Sequence, residues 1–415
     1  MPHYYIWTIG CQMNRAESER LESLFQHLGY QPTTAAEDAD LIVLNSCVVR
    51  RHAEDRIVNK INALKKLKFT PKPPTIAVTG CLVDSGTTRL QYRFPHVDHF
   101  FKPGEYPPWL AEAESFPVPP QQPSPSTYVP IIQGCNNFCT YCVVPYRRGR
   151  EKSRPVDEIV GEVKELARRG VKEVVLLGQN VDSYGHDLPQ KPDLAGLLYM
   201  LNVVDGIRRI RFLTNHPKDM SDRLITAIAE LDRVCRQINL PVQAGDDEIL
   251  KAMGRGYTAE DYRNLVARIR SRVSDISLST DVIVGFPSES DVQFRATVGL
   301  LRELRFDTVH VAAYSPRRDT AACRNLEDNV PPEVKKERLG IIERLQGEIA
   351  ADINSRLLGE TVEVLVEGRK KGRWHGRSQN GKLVFFSNGG ELLGKIVKVK
   401  IEKTSPWALQ GIINE

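Results

Sequence analysis

The sequence predicts an α/β protein made of three units: an N-terminal α/β sandwich, a central partial (βα)6 barrel and a small antiparallel β-barrel at the C-terminus. The first two units are predicted because strand-like and helical stretches alternate up to about residue 110 and again over residues 128–357. Such alternation is typical of parallel sheets covered by helices. The last unit is predicted by short alternating strands, with Gly, Lys and Arg between them, after residue 359.

The composition is that of a globular protein with buried cores. Of 415 residues, 41% are hydrophobic and 26% are charged, which excludes a disordered chain, a collagen-like fibre and a small disulfide scaffold. No run approaches ~18 consecutive apolar residues, and the first residues lack the segments of a secretory signal. We therefore expect a cytoplasmic protein without a membrane partner. After Leu357, ten Lys and Arg outnumber six Asp and Glu, as expected where a chain contacts a polyanion.

The domain boundaries follow from shifts in composition. We expect one unit over residues 1–115, a semi-rigid linker with five prolines over residues 116–127, a core over residues 128–357 and a last unit over residues 358–415. The predicted strands span 4–9, 41–44, 75–78, 129–133, 173–177, 210–213, 237–240, 276–284, 308–313, 362–366, 383–386 and 396–401. The predicted helices include 17–28, 53–67, 156–169 and 332–357.

The strongest chemical signal is a loop with three cysteines, Cys135, Cys139 and Cys142, directly after a predicted strand. Cysteine thiolates are the usual ligands of iron–sulfur clusters, and three of them leave one iron of a tetranuclear cluster open to a cofactor or substrate. A zinc site usually supplies a nearby fourth Cys or His, whereas the nearest histidines, His99 and His186, lie well outside the loop. Zinc and ordinary buried cysteines remain the less favoured alternatives.

Three more cysteines, Cys11, Cys47 and Cys81, each follow a predicted strand of the first unit. The carboxyl ends of parallel strands meet at one edge of a sheet, which is where sites form. The topology alone leaves a second cluster and ordinary buried cysteines equally open. Cys235 and Cys323 match no ligand position, and we interpret both as structural.

The C-x3-C-x2-C loop, set after the first strand of a partial barrel, resembles the signature of radical S-adenosylmethionine enzymes. The resemblance implies that S-adenosylmethionine chelates the fourth iron and that its reductive cleavage gives a 5′-deoxyadenosyl radical. Residues 10–14 (GCQMN), 45–47 (NSC) and 79–81 (TGC) further resemble the methylthiotransferase family, which carries an auxiliary [4Fe–4S] cluster on three N-terminal cysteines. This second resemblance implies that the auxiliary cluster provides the sulfur of the methylthio group, and that the C-terminal β-barrel is an RNA-binding TRAM domain.

Within that family, residues 142–149 (CVVPYRRG) and 176–181 (LLGQNV) most resemble the MiaB branch. This branch methylthiolates C2 of an N6-isopentenylated adenosine beside the tRNA anticodon. The chain departs from the family at Ala244, where Ser is usual, and at residues 320–322 and 82–85. These departures concern the substrate more than the reaction, since all six cysteines are kept. The alternatives are N6-threonylcarbamoyladenosine of tRNA, an aspartate of a ribosomal protein, and a non-catalytic iron–sulfur RNA-binding protein.

Polar residues at the predicted strand ends are candidates for cofactor binding. Gln179 and Asn180 end a strand on the catalytic edge, where they either bind the methionine amino group or the substrate base, or cap the following loop. Gln243, Arg255 and Asp281 are candidates for the ribose or carboxylate of S-adenosylmethionine, and equally for satisfying backbone groups. His216 is interpreted as a pocket residue or as a satisfied core histidine.

Two basic stretches are candidates for RNA contact. The first follows the three-cysteine loop and comprises Arg147, Arg148, Arg150, Lys152 and Arg154. The second, in the tail, comprises Arg369, Lys370, Lys371, Arg373 and Arg377 around Trp374. Cations suit phosphates and a ring suits base stacking; the alternatives are a solvated charged face and a basic hairpin without function.

The partners expected from the resemblance are a tRNA anticodon stem-loop, an electron donor such as flavodoxin or ferredoxin, and a carrier of sulfur or clusters. The expected cofactors are two [4Fe–4S] clusters and S-adenosyl-L-methionine. A base in the anticodon loop has to leave its stack to reach a pocket of this kind.

Overall fold

The structure is a computed structural model that describes residues 1–48, 51–83, 86–111, 123–387 and 389–414. Most of the predicted linker, 116–127, lies outside these residues, as do Asp84 and Ser85 of one departure from the family. No helix within the described ranges is long and apolar enough to cross a membrane.

The N-terminal part is a five-stranded parallel sheet with helices on both faces. Its elements are β1 (His3–Thr8), α1 (Gln12–His27), β2 (Gln31–Pro32), β3 (Leu41–Ser46), α2 (Arg51–Leu64), β4 (Thr75–Gly80), α3 (Thr87–Arg93), β5 (His99–Phe100) and α4 (Pro108–Ala111). The strand order is β2-β1-β3-β4-β5. Every residue of the central strand β3 is buried, because helices cover both faces of a parallel sheet. This explains its continuous apolar run.

Helix α1 begins at Gln12, not at residue 17 as the hydrophobic pattern predicts. Cys11 is its N-cap, and the side chain of Asn14 accepts from the Cys11 backbone N–H. The first turn buries a polar residue, Asn14, next to a single apolar one, Met13, so a search for apolar periodicity does not detect this turn.

The central part is an open barrel of six parallel strands, as predicted. Its elements are β6 (Ser126–Pro130), β7 (Ile132–Gln133), α5 (Val144–Arg148), β8 (Lys152–Ser153), α6 (Val156–Arg168), β9 (Glu173–Leu177), α7 (Leu194–Asn202), β10 (Arg209–Phe212), α8 (Asp222–Glu230), β11 (Gln237–Asn239), α9 (Asp247–Ala252), α10 (Ala259–Arg272), β12 (Ser277–Val284), α11 (Asp291–Leu304), β13 (Thr308–Ala313), α12 (Ala321–Asn325) and α13 (Pro332–Ser355). The strands form two sheets, β6-β9-β10 and β11-β12-β13. A parallel bridge between Ile210 and Val234 joins them.

Helix α1 packs against the inner side of this open barrel. Met13 and Ala16 of α1 form a cluster with Val175 and Leu177 of β9, with Tyr128 against it. The alternate residues of β9 belong to the large core instead, so Val175 and Leu177 point to the concave side. The contact brings the edge that carries Cys11 next to the central barrel.

The C-terminal part is a closed five-stranded barrel. Its strands are β14 (Thr361–Lys370), β15 (Arg373–Ser378), β16 (Leu383–Ser387), β17 (Ile396–Thr404) and β18 (Leu409–Ile413). Neighbouring strands are antiparallel except for the β16–β18 pair, which is parallel and closes the barrel. Two of the five, β15 and β18, are absent from the predicted elements. In β15 the charged residues and the glycine indicate a loop.

The C-terminal barrel docks on the amino ends of the central strands. Arg209 Nη1 donates to the Arg377 carbonyl at 2.7 Å, and Arg211 Nη2 donates to the Ser378 carbonyl at 3.3 Å. Arg211 also forms an ion pair with Glu173 at 3.1 Å, in which both side chains are buried. These contacts lie at the end of the barrel opposite the three-cysteine loop.

Arg211→Met is expected to destabilise the protein by about 3–5 kcal/mol, because it leaves the Glu173 carboxylate buried without its partner. Chemical denaturation measures this loss. The matched control is Arg223→Met, which removes the largely exposed ion pair with Asp193 and should cost about 0–1 kcal/mol. Equal losses in the two variants would contradict the prediction.

Candidate active site

The loop with Cys135, Cys139 and Cys142 is held by backbone contacts on both sides. The Cys135 N–H donates to the Gly149 carbonyl at 3.2 Å, and the Thr140 N–H donates to the Met253 carbonyl at 2.9 Å. The side chain of Gln179 accepts from the Gly134 N–H at 2.6 Å. Gln179 therefore anchors the cysteine loop, not the loop that follows its own strand.

Burial is the main cause of the raised pKa values of two of these thiols, Cys135 and Cys142. It raises the pKa of Cys135 and raises the pKa of Cys142 to about 12, with smaller contributions from the neighbouring cysteines. Metal ligation requires thiolates, so building a cluster on this loop has to release protons.

Cys11, Cys47 and Cys81 lie at the carboxyl ends of three neighbouring parallel strands, β1, β3 and β4. A Cβ on Gly10 would lie 2.8 Å from the Cys47 Cβ, so only glycine allows these strand ends to approach this closely. A Cβ on Gly80 would lie 2.3 Å from the Ser46 carbonyl oxygen. The convergence inferred from the topology is thus present.

A buried polar network joins the three strand ends. Asn14 Nδ2 donates to Asn45 Oδ1 at 2.8 Å and to the Ser46 carbonyl at 2.9 Å. Asn45 Nδ2 donates to the Asn14 carbonyl at 2.8 Å, and Ser46 Oγ donates to the Thr79 carbonyl at 2.6 Å. These residues are close to the cysteines in the three sequence motifs. Their hydrogen bonds connect the carboxyl ends of β1, β3 and β4.

Both triads fit an iron–sulfur cluster in donor type and placement. Each has three thiols on loops that directly follow strands, and each has one buried arginine donating to a sulfur. Within the described ranges, no three His, Cys, Asp or Glu side chains lie close enough to hold a single metal ion. The three cysteine side chains of each triad would therefore have to move closer to one another to bind a cluster.

Four buried polar atoms without a hydrogen-bond partner follow three successive strands, β9, β10 and β11. They are Asn180 Oδ1, Asn215 Oδ1, His216 Nε2 and Gln243 Oε1. Native proteins seldom leave such groups unsatisfied, so a cluster of them indicates a polar ligand. Asn180 and Gln243 were predicted for the cofactor, and His216 was an open candidate. Asn215 was missed, although it follows a predicted strand and precedes His216.

His216 is neutral and offers a hydrogen to this site. Burial lowers the pKa of His216 to about 2, assisted by the cations of Arg255 and Lys218. His216 Nδ1 accepts from the Lys218 N–H at 3.2 Å, so Nε2 carries the proton of the neutral ring. Of the other candidates, Asp281 accepts from Asn239 at 3.1 Å, and Arg255 donates to Cys139 Sγ at 3.3 Å.

A buried carboxyl, Asp182, holds the loop that carries Asn215 and His216. It accepts from Asn215 Nδ2 and from the His216 N–H. Burial raises the pKa of Asp182 to about 7, with Asp219 adding to the effect and the two hydrogen bonds opposing it. The native state therefore binds this proton more tightly than the unfolded chain.

The stability of the wild type should fall as the pH rises from about 4 to about 7, because the native carboxyl binds the extra proton in that window. Asp182→Asn should weaken this dependence and make the protein more stable at pH 8, by on the order of 4 kcal/mol; Glu19, whose pKa burial also raises to about 7, retains its own share. A flip of the Asn215 amide would give the new Asn a partner. Denaturation at pH 5 and pH 8 measures the effect, and parallel losses in both proteins would contradict it.

In the first basic stretch, the predicted RNA contact of Arg148 is wrong. Arg148 is 7% exposed, forms an ion pair with Glu17 and donates to Cys81 Sγ, so it is not available to a phosphate. Arg147 pairs with Asp319 at 3.3 Å. Arg154 pairs with Glu162. Only Arg150, over the exposed ring of Phe138, and Lys152 stay exposed.

In the tail, the predicted stacking of an RNA base on Trp374 is wrong. Trp374 is 4% exposed and belongs to the core of the C-terminal barrel, so it cannot stack on a base. The five cations around it are exposed, as predicted: Arg369, Lys370, Lys371, Arg373 and Arg377. The exposed indole of this part is Trp407, at 62%. It lies in the β17–β18 turn, which Asn354 Nδ2 fixes through the Ser405 carbonyl at 2.8 Å.

Comparisons with known families match each part of the chain. The radical SAM superfamily matches residues 129–301, the uncharacterized protein family UPF0004 matches residues 3–102, and the TRAM domain matches residues 355–413. Among solved structures, the chain resembles the radical S-adenosylmethionine methyltransferase TsrM from Kitasatospora setae, with a TM-score of 0.55, 15% identity, and coverage of 78% of this chain and 77% of that one. This likeness shows the fold alone.

Curated relatives match over the full length. The tRNA-2-methylthio-N(6)-dimethylallyladenosine synthase of Dehalococcoides mccartyi is 55% identical over 411 residues, covering 99% of this chain and 98% of the relative. The enzyme of the same name from Chloroflexus aurantiacus is 49% identical, covering 99% of this chain and 91% of the relative. The chain belongs to the family of tRNA-2-methylthio-N(6)-dimethylallyladenosine synthases, enzymes of the radical S-adenosylmethionine superfamily.

Proposed function

We propose that this chain converts N6-isopentenyladenosine beside the tRNA anticodon to its 2-methylthio derivative. The observation that carries the proposal is the pair of cysteine triads, one at the carboxyl ends of three parallel strands and one on the single loop after β7, in a chain 55% identical to an enzyme named for this product. Two S-adenosylmethionine-dependent steps are required, a methyl transfer and a radical activation of the adenine C2–H bond.

We assign different roles to the two triads from the parts of the chain in which they lie. Cys135, Cys139 and Cys142 lie in the part that matches the radical SAM superfamily, so they hold the [4Fe–4S] cluster that supplies the electron for S-adenosylmethionine cleavage. Cys11, Cys47 and Cys81 hold an auxiliary [4Fe–4S] cluster that supplies the sulfur. The domain division at residues 1–115, 128–357 and 358–415 is part of this proposal.

The chain's own residues bind and orient the reactants. The unpartnered atoms of Asn180, Asn215 and Gln243 accept hydrogen bonds from the cofactor or the base, while the Nε2–H of His216 donates one. Packing of α1 against the inner side of the barrel excludes water from that side. The adenine has to leave its stack in the anticodon loop to reach these groups.

The anticodon stem-loop is bound by exposed cations and one exposed ring. Arg150 and Lys152 lie beside the cysteine loop, and the tail contributes Arg369, Lys370, Lys371, Arg373 and Arg377. Trp407 provides the surface on which a base stacks. Further partners are a one-electron donor such as flavodoxin or ferredoxin, and a carrier that restores sulfur or clusters. The proposed location is the cytoplasm, which a tRNA substrate supports.

The test is anaerobic reconstitution followed by incubation with an isopentenylated anticodon stem-loop and mass spectrometry of its nucleosides. A methylthio adduct on isopentenyladenosine is the expected product. A stem-loop carrying N6-threonylcarbamoyladenosine serves as the comparison substrate, and an adduct on that base alone would overturn the assignment. Absence of 5′-deoxyadenosine with dithionite would favour a non-catalytic iron–sulfur protein.

A further inference from the structure

Each cysteine triad is accompanied by one buried arginine whose guanidinium donates to a thiol sulfur. Arg148 Nε donates to Cys81 Sγ at 3.3 Å, and Arg255 Nη1 donates to Cys139 Sγ at 3.3 Å. The two arginines are 7% and 4% exposed. Both side chains are shielded from solvent and each contacts a cysteine sulfur directly, so their contacts point to a role at the sulfur atoms themselves.

The two arginines differ in how their charge is compensated. Arg148 forms an ion pair with Glu17, which receives hydrogen bonds on both carboxylate oxygens. Arg255 donates to three neutral groups: Tyr257 Oη at 2.8 Å, Tyr141 Oη at 3.4 Å and the Pro241 carbonyl at 2.8 Å. Across the described ranges Arg255 has no carboxylate within ion-pair distance. The charge of Arg148 is thus neutralised by a carboxylate and that of Arg255 is not. Glu151, which accepts from the Asn136 N–H at 3.1 Å, adds a negative charge near Cys135.

Charge and hydrogen bonds at the sulfurs are among the factors that set the reduction potential of an iron–sulfur cluster. A positive charge stabilises the reduced, more negative form, and its effect is strong where water is excluded. A sulfur that is to accept a methyl group has the opposite need, since it has to remain electron-rich. The carboxylate of Glu17 removes the net positive charge from that site while Arg148 still positions Cys81.

We propose that Arg255 eases one-electron reduction of the cluster on Cys135, Cys139 and Cys142, and that Glu17 cancels the equivalent effect of Arg148 at the auxiliary site. This inference rests on the proposed function, because it requires both clusters. Arg148, Glu17 and Arg255 are positioning residues that act through the cysteine sulfurs. The reduction takes one electron from an external one-electron donor and breaks no bond.

The test is a redox titration of full-length protein, followed by electron paramagnetic resonance, without S-adenosylmethionine. Each cluster is measured alone, in a background where the three cysteines of the other triad are replaced by Ala. Arg255→Met should lower the midpoint potential of the radical cluster, and Arg255→Lys should restore most of it. Glu17→Gln should raise the midpoint potential of the auxiliary cluster and leave the radical cluster unchanged.

The outcomes separate the two proposals. If the unmodified chain binds two clusters but their potentials do not change in Arg255→Met or Glu17→Gln, the inference is overturned and the proposed function stands. A chain that binds a single cluster with all six cysteines present would overturn both. Arg223→Met, which removes a largely exposed cation, is the control and should shift neither potential.

Discussion

Cys139→Ala is expected to abolish 5′-deoxyadenosine formation, whereas Cys47→Ala is expected to retain it and to lose only the methylthio product. Cys139 is one of three thiols on the loop within the radical SAM match, and a cluster with two protein ligands cannot present S-adenosylmethionine correctly. Cys47 lies on the other sheet, at the end of β3, and is therefore separable from the cleavage reaction. Chromatography and mass spectrometry measure both products in one reaction.

Cys235→Ala is the control for these variants. Cys235 is buried, but it lies at the amino ends of the central strands, where its Sγ is 3.8 Å from Glu173 Oε2. Its removal should preserve both products and reduce stability modestly, by about the cost of losing one small buried group. Methylthio product from the Cys47 variant would rule out a sulfur-supplying role for the N-terminal triad.

The sequence predicts the positions of the cysteines well because parallel topology decides them. Once β1, β3 and β4 are recognised as neighbouring parallel strands, Cys11, Cys47 and Cys81 have to lie at one edge. The same reasoning places Asn180 and Gln243 at the mouth of the central barrel. Strand ends are local features, so the pattern of the chain is sufficient to find them.

Side-chain burial is harder to predict when it depends on a distant segment. Arg148 is buried by Glu17, 131 residues away in sequence, and nothing in the basic stretch around it indicates this contact. Trp374 is different, because its strand alternates: Trp374 and Gly376 point inward while Arg373 and Arg377 point outward. The period of two was visible in the sequence, but the charged residues of this segment were interpreted as a loop.

Gly134→Ala is expected to eliminate the cluster of the central barrel while the N-terminal cluster still assembles. Gly134 has a φ of +81°, and a Cβ there would lie 2.1 Å from the Arg150 carbonyl oxygen and 2.5 Å from its carbon. Both are backbone atoms, so the loop itself would have to move. That movement would break the hydrogen bonds from Gly134 to Gln179 and from Cys135 to Gly149.

The first readout of this variant is iron content, which should fall from that of two clusters to that of one. The second is the rate of S-adenosylmethionine cleavage, which should fall at least ~10²-fold, the effect of a displacement of about 1 Å at a reacting centre. Gly170→Ala is the matched control, since Gly170 has a φ of +89° with nothing within 4 Å of the added Cβ. It should cost roughly 1–2 kcal/mol of stability for the left-handed backbone and leave the iron content unchanged. If both variants keep two clusters, the close approach at Gly134 is not what holds the cysteine loop; if only Gly134→Ala loses one, the backbone contact with Arg150 decides whether Cys135, Cys139 and Cys142 can meet.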